Sequence, residues 1–169
     1  MKAVVVYESH WGSTATIARA IAEGIGPGTM VLATDEADIS VVSGADLLVA
    51  GAPVMAFGLP SERMERAIAK GGATSAKAPD VSHPSLRSWL HDLPRGHGAG
   101  VAFETRIHRS PGGATGAIER GLGRAGYDVS APAGKFVVTG QHGPLKQGEL
   151  DRARRWGAEL RSHVAVPER

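Results

Sequence analysis

The chain has no cysteine in its 169 residues, which excludes disulfides, thiolate nucleophiles and cysteine-based metal sites together. Phe, Trp and Tyr make up only 5% of it and the formal net charge is +2, so a basic surface interleaved with aromatics, as nucleic-acid binding requires, is missing. No apolar run approaches the ~20 residues that span a bilayer. Met1-Lys2 leads directly into an apolar stretch with no h-region, so a cytoplasmic location is expected. The seven histidines are scattered, with no i, i+4 pair on a credible helix, so no metal site is expected. The positive cluster Arg152, Arg154, Arg155 and Arg161 reads as the solvated face of a closing helix.

What remains is an ordinary globular composition, 42% apolar and 21% charged. At this length the simplest organisation is one domain over residues 1–169, burying roughly 70% of the surface its unfolded form exposes. Strand and helix signals alternate throughout, which points to a parallel sheet covered by helices on both faces. Ala3 to Tyr7 contains three consecutive valines, as suits a strand buried on both sides. Ile17, Ile21 and Ile25 then recur on one helical stripe. Thr29–Ala33, Ala45–Gly51 and Gly100–Phe103 read as the next strands, and an interrupted fifth runs through Tyr127–Val129 and Lys135–Thr139. Helices are expected over Pro60–Lys70, with Met64, Ala67 and Ile68 inward, and over Ser85–Leu93 and Ala114–Ala125. A closing helix lined by Leu150, Ala153, Gly157, Leu160 and Val164 follows. Residues 71–84, rich in Gly, Ala, Ser and Pro, read as a mobile loop. The architecture is a five-stranded, doubly wound α/β/α sandwich, whose ligands bind beyond the carboxyl ends of the strands.

The turn after the first strand is the most telling segment. Ser9-His10-Trp11-Gly12-Ser13-Thr14 carries hydroxyls and a glycine into a helix N-terminus, where unsatisfied N–H groups and the helix dipole favour an anion. Capping alone is the competing use of Ser9, Gly12 and Thr14. The turn lacks the lysine of a P-loop, and no G-x-G-x-x-G follows the first strand. Gly51-Ala52-Pro53 provides no phosphorylatable aspartate after strand three, and no G-x-S-x-G elbow occurs.

This turn resembles the phosphate loop of the flavodoxin family, [ST]-x-[ST]-G-x-T, with Trp11 in place of the second hydroxyl residue. The segment Gly51-Ala52-Pro53-Val54-Met55-Ala56-Phe57-Gly58 resembles that family's loop after strand three. Phe103-Glu104-Thr105-Arg106 and the run from Thr139 to Lys146 are similar to a short flavodoxin-domain subfamily. The resemblance implies a flavodoxin-like fold and FMN as cofactor, its phosphate on residues 9–14. It further implies that Pro53 to Gly58 cover one side of the flavin ring, with Met55 or Phe57 stacking. Glu104, Thr105 and Arg106, in the loop after strand four, would meet the other side. Trp11 either packs on the sheet edge or lies over the cofactor, and Arg106 either meets the ring or pairs on the surface.

The leading functional expectation is therefore electron transfer between redox partners. Arg63, Arg106, His108 and Arg109 beside Glu62 and Glu104 imply a neutral-to-basic docking face, and so acidic partners. The alternatives are an FMN-dependent oxidoreductase of the quinone-reductase or protoporphyrinogen-oxidase kind, acting on a small oxidisable substrate under a 71–97 lid, and a flavin-free interaction module.

Overall fold

The computed structural model describes residues 1–71 and 78–165. Five strands form one all-parallel sheet: β1 (Ala3–Tyr7), β2 (Met30–Ala33), β3 (Leu47–Pro53), β4 (Ala99–Ile107) and β5 (Gly134–Val138). Their spatial order is β2-β1-β3-β4-β5. The connecting helices are α1 (Ser13–Ile25), α2 (Ile39–Val42), α3 (Glu62–Gly71), α4 (Leu86–His91), α5 (Thr115–Arg124) and α6 (Glu149–Ala165). The order reverses between β1 and β3, whose carboxyl ends open the crevice that such sheets use for ligands.

Two apolar layers sandwich the sheet. Val5, Val49, Val101 and Phe103 face α1 and α6 through Ile17, Ile21, Ala153 and Leu160. Val4, Val6, Leu48 and Ala102 face α4 and α5 through Leu86, Ile118 and Leu122. The valines of β1 are needed on both faces, which accounts for their run without alternation. Helices α1 and α6 meet backbone to backbone. A Cβ on Gly24 would overlap the Arg154 carbonyl oxygen, and one on Gly157 would overlap that of Ile21.

Three expectations need correction. Strand β4 runs on to Ile107, because Glu104 and Thr105 continue the ladder opposite Ala52 and Pro53. Glu104, Thr105 and Arg106 therefore lie on a strand and not in the loop after it. The fifth strand is a single one, since only an isolated bridge between Ala99 and Asp128 marks its expected first half. Helix α3 buries none of its residues, and Ala67 is exposed instead of facing inward. Residues 72–77 of the expected mobile loop lie outside the described residues. The part that follows is tethered: the Asp80 amide donates to the His10 carbonyl at 2.7 Å, and Thr34 Oγ1 donates to the Pro84 carbonyl at 2.6 Å. Among the described residues, no helix is long and apolar enough to cross a membrane.

Candidate functional site

The turn between β1 and α1 is shaped from within. Ser9 Oγ accepts the Gly12 amide at 3.1 Å, and Gly12 takes φ +100°, a left-handed conformation natural to glycine. No side chain caps α1, and no acidic residue stands in its first turn. The helix thus presents N–H donors and the positive end of its dipole with no internal anion to neutralise them. No heavy atom lies within 4 Å of where a Gly12 Cβ would stand, so the approach is open. Thr14 Oγ1 meets Thr105 Oγ1 at 2.8 Å and fixes this helix end to β4.

In front of the turn is a groove of about 240 Å³ lined by His10, Trp11, Ser13, Thr14, Pro53, Val54, Met55, Ala56, Thr105, Arg106, Ile107, Ser110, Val138 and Gln141. The structure thus brings together ten of the fifteen residues selected from sequence. Ser9, Gly12, Phe57, Gly58 and Glu104 do not line it. Ser9 and Gly12 shape the turn through their mutual hydrogen bond. Ile107, Ser110, Val138 and Gln141 escaped the sequence reading, although Gln141 sits in the 139–146 run whose pattern was noticed. Trp11 packs its ring at a tilt against His142, with ring centroids 4.6 Å apart, which joins the turn after β1 to the loop after β5.

The loop after β3 closes on itself as a two-residue hairpin. Met55 and Gly58 exchange both backbone hydrogen bonds, at 2.8 and 3.0 Å, around Ala56 and Phe57 at φ +44° and +75°. Such a turn favours Asn or Gly, so two ordinary side chains here store backbone strain. The Phe57 carbonyl accepts the Gly113 amide at 3.1 Å, while Phe57 is 67% exposed and does not line the groove. Met55, and not Phe57, is the apolar wall.

Glu104 has a structural post. Its side chain points to the α5 face of the sheet and is fully buried, and Oε2 accepts the Ala114 and Thr115 amides at 2.6 and 3.1 Å. A carboxylate borrowed from β4 therefore caps α5, whose own N-cap, Ala114, has no oxygen to offer. Arg106 Nη1 donates to Glu104 Oε1 at 2.9 Å and to the Gly112 carbonyl at 3.1 Å, and Nη2 donates to the Ser110 carbonyl. The guanidinium neutralises Glu104 and holds the 107–112 loop while it borders the groove. His108 and Arg109 are exposed at this rim.

Behind the turn, the Nε2 atom of His10 lies 3.0 Å from Glu8 Oε2 and 3.8 Å from Glu65 Oε1. Burial, and then the neighbouring Glu8 carboxylate, push Glu65 up to about 7.

No protein-family model matches the chain, and no curated protein matches it. Solved structures do. A flavodoxin from the domain Archaea superposes with a TM-score of 0.67 at 20% identity, over 98% of this chain and 100% of that one. A flavodoxin, the WrbA-like protein from Agrobacterium tumefaciens, gives 0.62 at 20% identity over 97% of each chain. Oxidised Flavodoxin 1 from Bacillus cereus gives 0.64 at 16% identity, over 96% of this chain and 99% of that one. With the strand order, these full-length superpositions identify the architecture: the chain has the flavodoxin-like fold.

Proposed function

We propose that the chain, as a single domain over residues 1–169, binds FMN in the groove and carries electrons between redox partners. The observation that carries this reading is the uncapped, uncharged N-terminus of α1 opening into a groove with an apolar wall. FMN ends in one phosphate, which suits one helix N-terminus with the Ser13 and Thr14 hydroxyls beside it. The residues fit that group, since no carboxylate lies in the first turn and Gly12 leaves the backbone accessible. Pro53 to Ala56 form one side for the ring, and Thr105, Arg106 and Ile107 the other. The groove is slightly smaller than the ~300 Å³ at the low end of small-molecule pockets. A ligand gripped there by its phosphate keeps one edge in solvent, as electron exchange with another protein requires. FMN supplies the redox chemistry, and these residues bind it, orient it and set its surroundings.

His108 and Arg109, exposed beside the groove, favour acidic docking partners. Reduction by an acidic partner should slow as ionic strength rises; a rate that increases with salt contradicts this docking face. A cytoplasmic site of action belongs to the same reading.

One observation favours an oxidoreductase as the second reading. The 107–114 wall carries no Phe, Tyr or Trp, which leaves room for a small substrate against the flavin. Anaerobic mixing of the FMN-loaded protein with NAD(P)H decides between them. A carrier stays oxidised until a separate reductase is added, whereas bleaching by NAD(P)H alone supports the enzyme.

A further inference from the structure

Glu8, His10 and Glu65 come from the end of β1, the turn after it and the middle of α3, and their side chains meet in a buried cluster in which His10 alone also lines the groove. One ligating atom from each lies within 4.8 Å of the other two. The Glu8 and His10 side chains are 3% and 2% exposed. Yet Glu8 Oε2, Glu65 Oε1 and both ring nitrogens of His10 make no hydrogen bond. Four buried polar atoms left unmatched in one place are costly, and natural proteins match nearly all such atoms. Among the described residues, no lysine or arginine pairs with either carboxylate.

We propose that Glu8, His10 and Glu65 bind a divalent first-row transition cation, for which Zn2+ is the best match. A dication balances two carboxylates and an uncharged imidazole, and it uses three of the four atoms that lack hydrogen bonds, Nε2 being the ring nitrogen that faces the carboxylates. Zinc bonds of about 2.1 Å place tetrahedral ligands ~3.4 Å apart and cis octahedral ligands ~3.0 Å apart. The observed separations of 3.0 and 3.8 Å bracket the tetrahedral edge. A mixed imidazole and carboxylate set selects Zn2+ and its neighbours over Mg2+ or Ca2+, which take oxygen alone.

The surroundings fit a metal centre. The Leu86 amide donates to Glu8 Oε1 at 2.8 Å, which orients the carboxylate and leaves Oε2 facing His10. A second groove of about 360 Å³, lined by Glu65 together with Arg66, Val81, Pro84, Ser85 and Ser88, gives the ion an entry path. A solvent molecule from that side completes a fourth position. The consequence is mechanical. Helix α3 has no buried residue of its own, so an ion fastens it to the turn that borders the first groove. The histidine pattern gave no hint of this, because the partners are carboxylates and one of them, Glu65, comes from a distant element.

The test is titration of the chelator-treated full chain with Co2+, followed by visible absorbance, and then displacement by Zn2+. One equivalent of Co2+ should develop ligand-field bands that Zn2+ removes, and one equivalent of Zn2+ should raise the melting temperature. Glu65→Gln, at the partly exposed edge, should weaken Co2+ binding by at least ~10-fold and erase the thermal shift. His10→Gln should do the same, with circular dichroism confirming that both variants fold. Absence of a one-equivalent site in the wild type overturns the proposal. So does binding that survives undiminished in both variants, which places the ion at another histidine. The readouts contain no flavin, so failure here and failure of FMN binding are separate results.

Discussion

Thr14 Oγ1 and Thr105 Oγ1 share a hydrogen bond of 2.8 Å that fastens the first turn of α1 to the carboxyl end of β4. Both residues also line the groove, so one contact sets the spacing between the turn after β1 and the opposite wall. Thr105→Val keeps the shape and leaves the buried Thr14 hydroxyl without this partner. We expect a stability loss of about 1 kcal/mol in urea denaturation. FMN affinity should fall by about fivefold if that amount of positioning energy is lost on binding. Unchanged affinity would show that the turn holds its position without β4.

Glu104→Gln tests the carboxylate that caps α5. The substitution leaves the Arg106 guanidinium half-buried without its anion and weakens two charge-assisted bonds to the Ala114 and Thr115 amides. Breaking a buried pair by removing one partner is expected to cost about 3 kcal/mol. The same residue read as a flavin contact would instead change FMN affinity with little effect on urea stability.

Gly157→Ala tests the close crossing of α1 and α6. A Cβ there overlaps the Ile21 carbonyl oxygen and must push two helix backbones apart. Thermal and chemical denaturation should show a loss of about 1–3 kcal/mol, despite alanine's better helix propensity. A gain in stability would mean that the helices slide apart freely.

Acid sensitivity follows from Glu149. The Arg152 side chain, and then the Val137 amide at 2.7 Å, hold its carboxyl below the ordinary value of 4.5. The folded form therefore binds this proton less readily than the unfolded chain does. The resulting stability is complete above about pH 4.5 and is lost as pH falls through the depressed folded value. In denaturation series from pH 6 downwards, Glu149→Gln should be less stable than the wild type at the upper end. The difference should shrink as the series is acidified. A difference that stays constant down to pH 3 would contradict this assignment.

The sheet and its helices were legible because burial dictates their patterns. The valines of β1, the isoleucine stripe of α1 and the stripe of Ala153, Gly157 and Leu160 on α6 each pack against the core. The turn over residues 9–14 stood out because hydroxyls and glycine leading into a helix have few uses. The end of β4 was not legible, since Glu104 and Thr105 are polar and polarity normally marks a strand's end. Here the polarity is spent on amides of α5 and on Thr14, contacts that only the assembled fold supplies. The hairpin at Ala56-Phe57 was equally hidden, because neither residue signals a left-handed turn. The meeting of Glu8, His10 and Glu65 depends on how α3 docks, and α3 buries too little to reveal its orientation in sequence.

The central claim is that α1's N-terminus receives the phosphate of FMN, and fluorescence titration of the flavin-free protein with FMN tests it most directly. We expect saturable quenching at one equivalent, weaker binding of riboflavin, which lacks the phosphate, and loss of FMN binding in Gly12→Val. Valine at φ +100° is strained and fills the open approach to the amides. No quenching, or riboflavin and FMN bound equally well with Gly12→Val unaffected, would contradict the account.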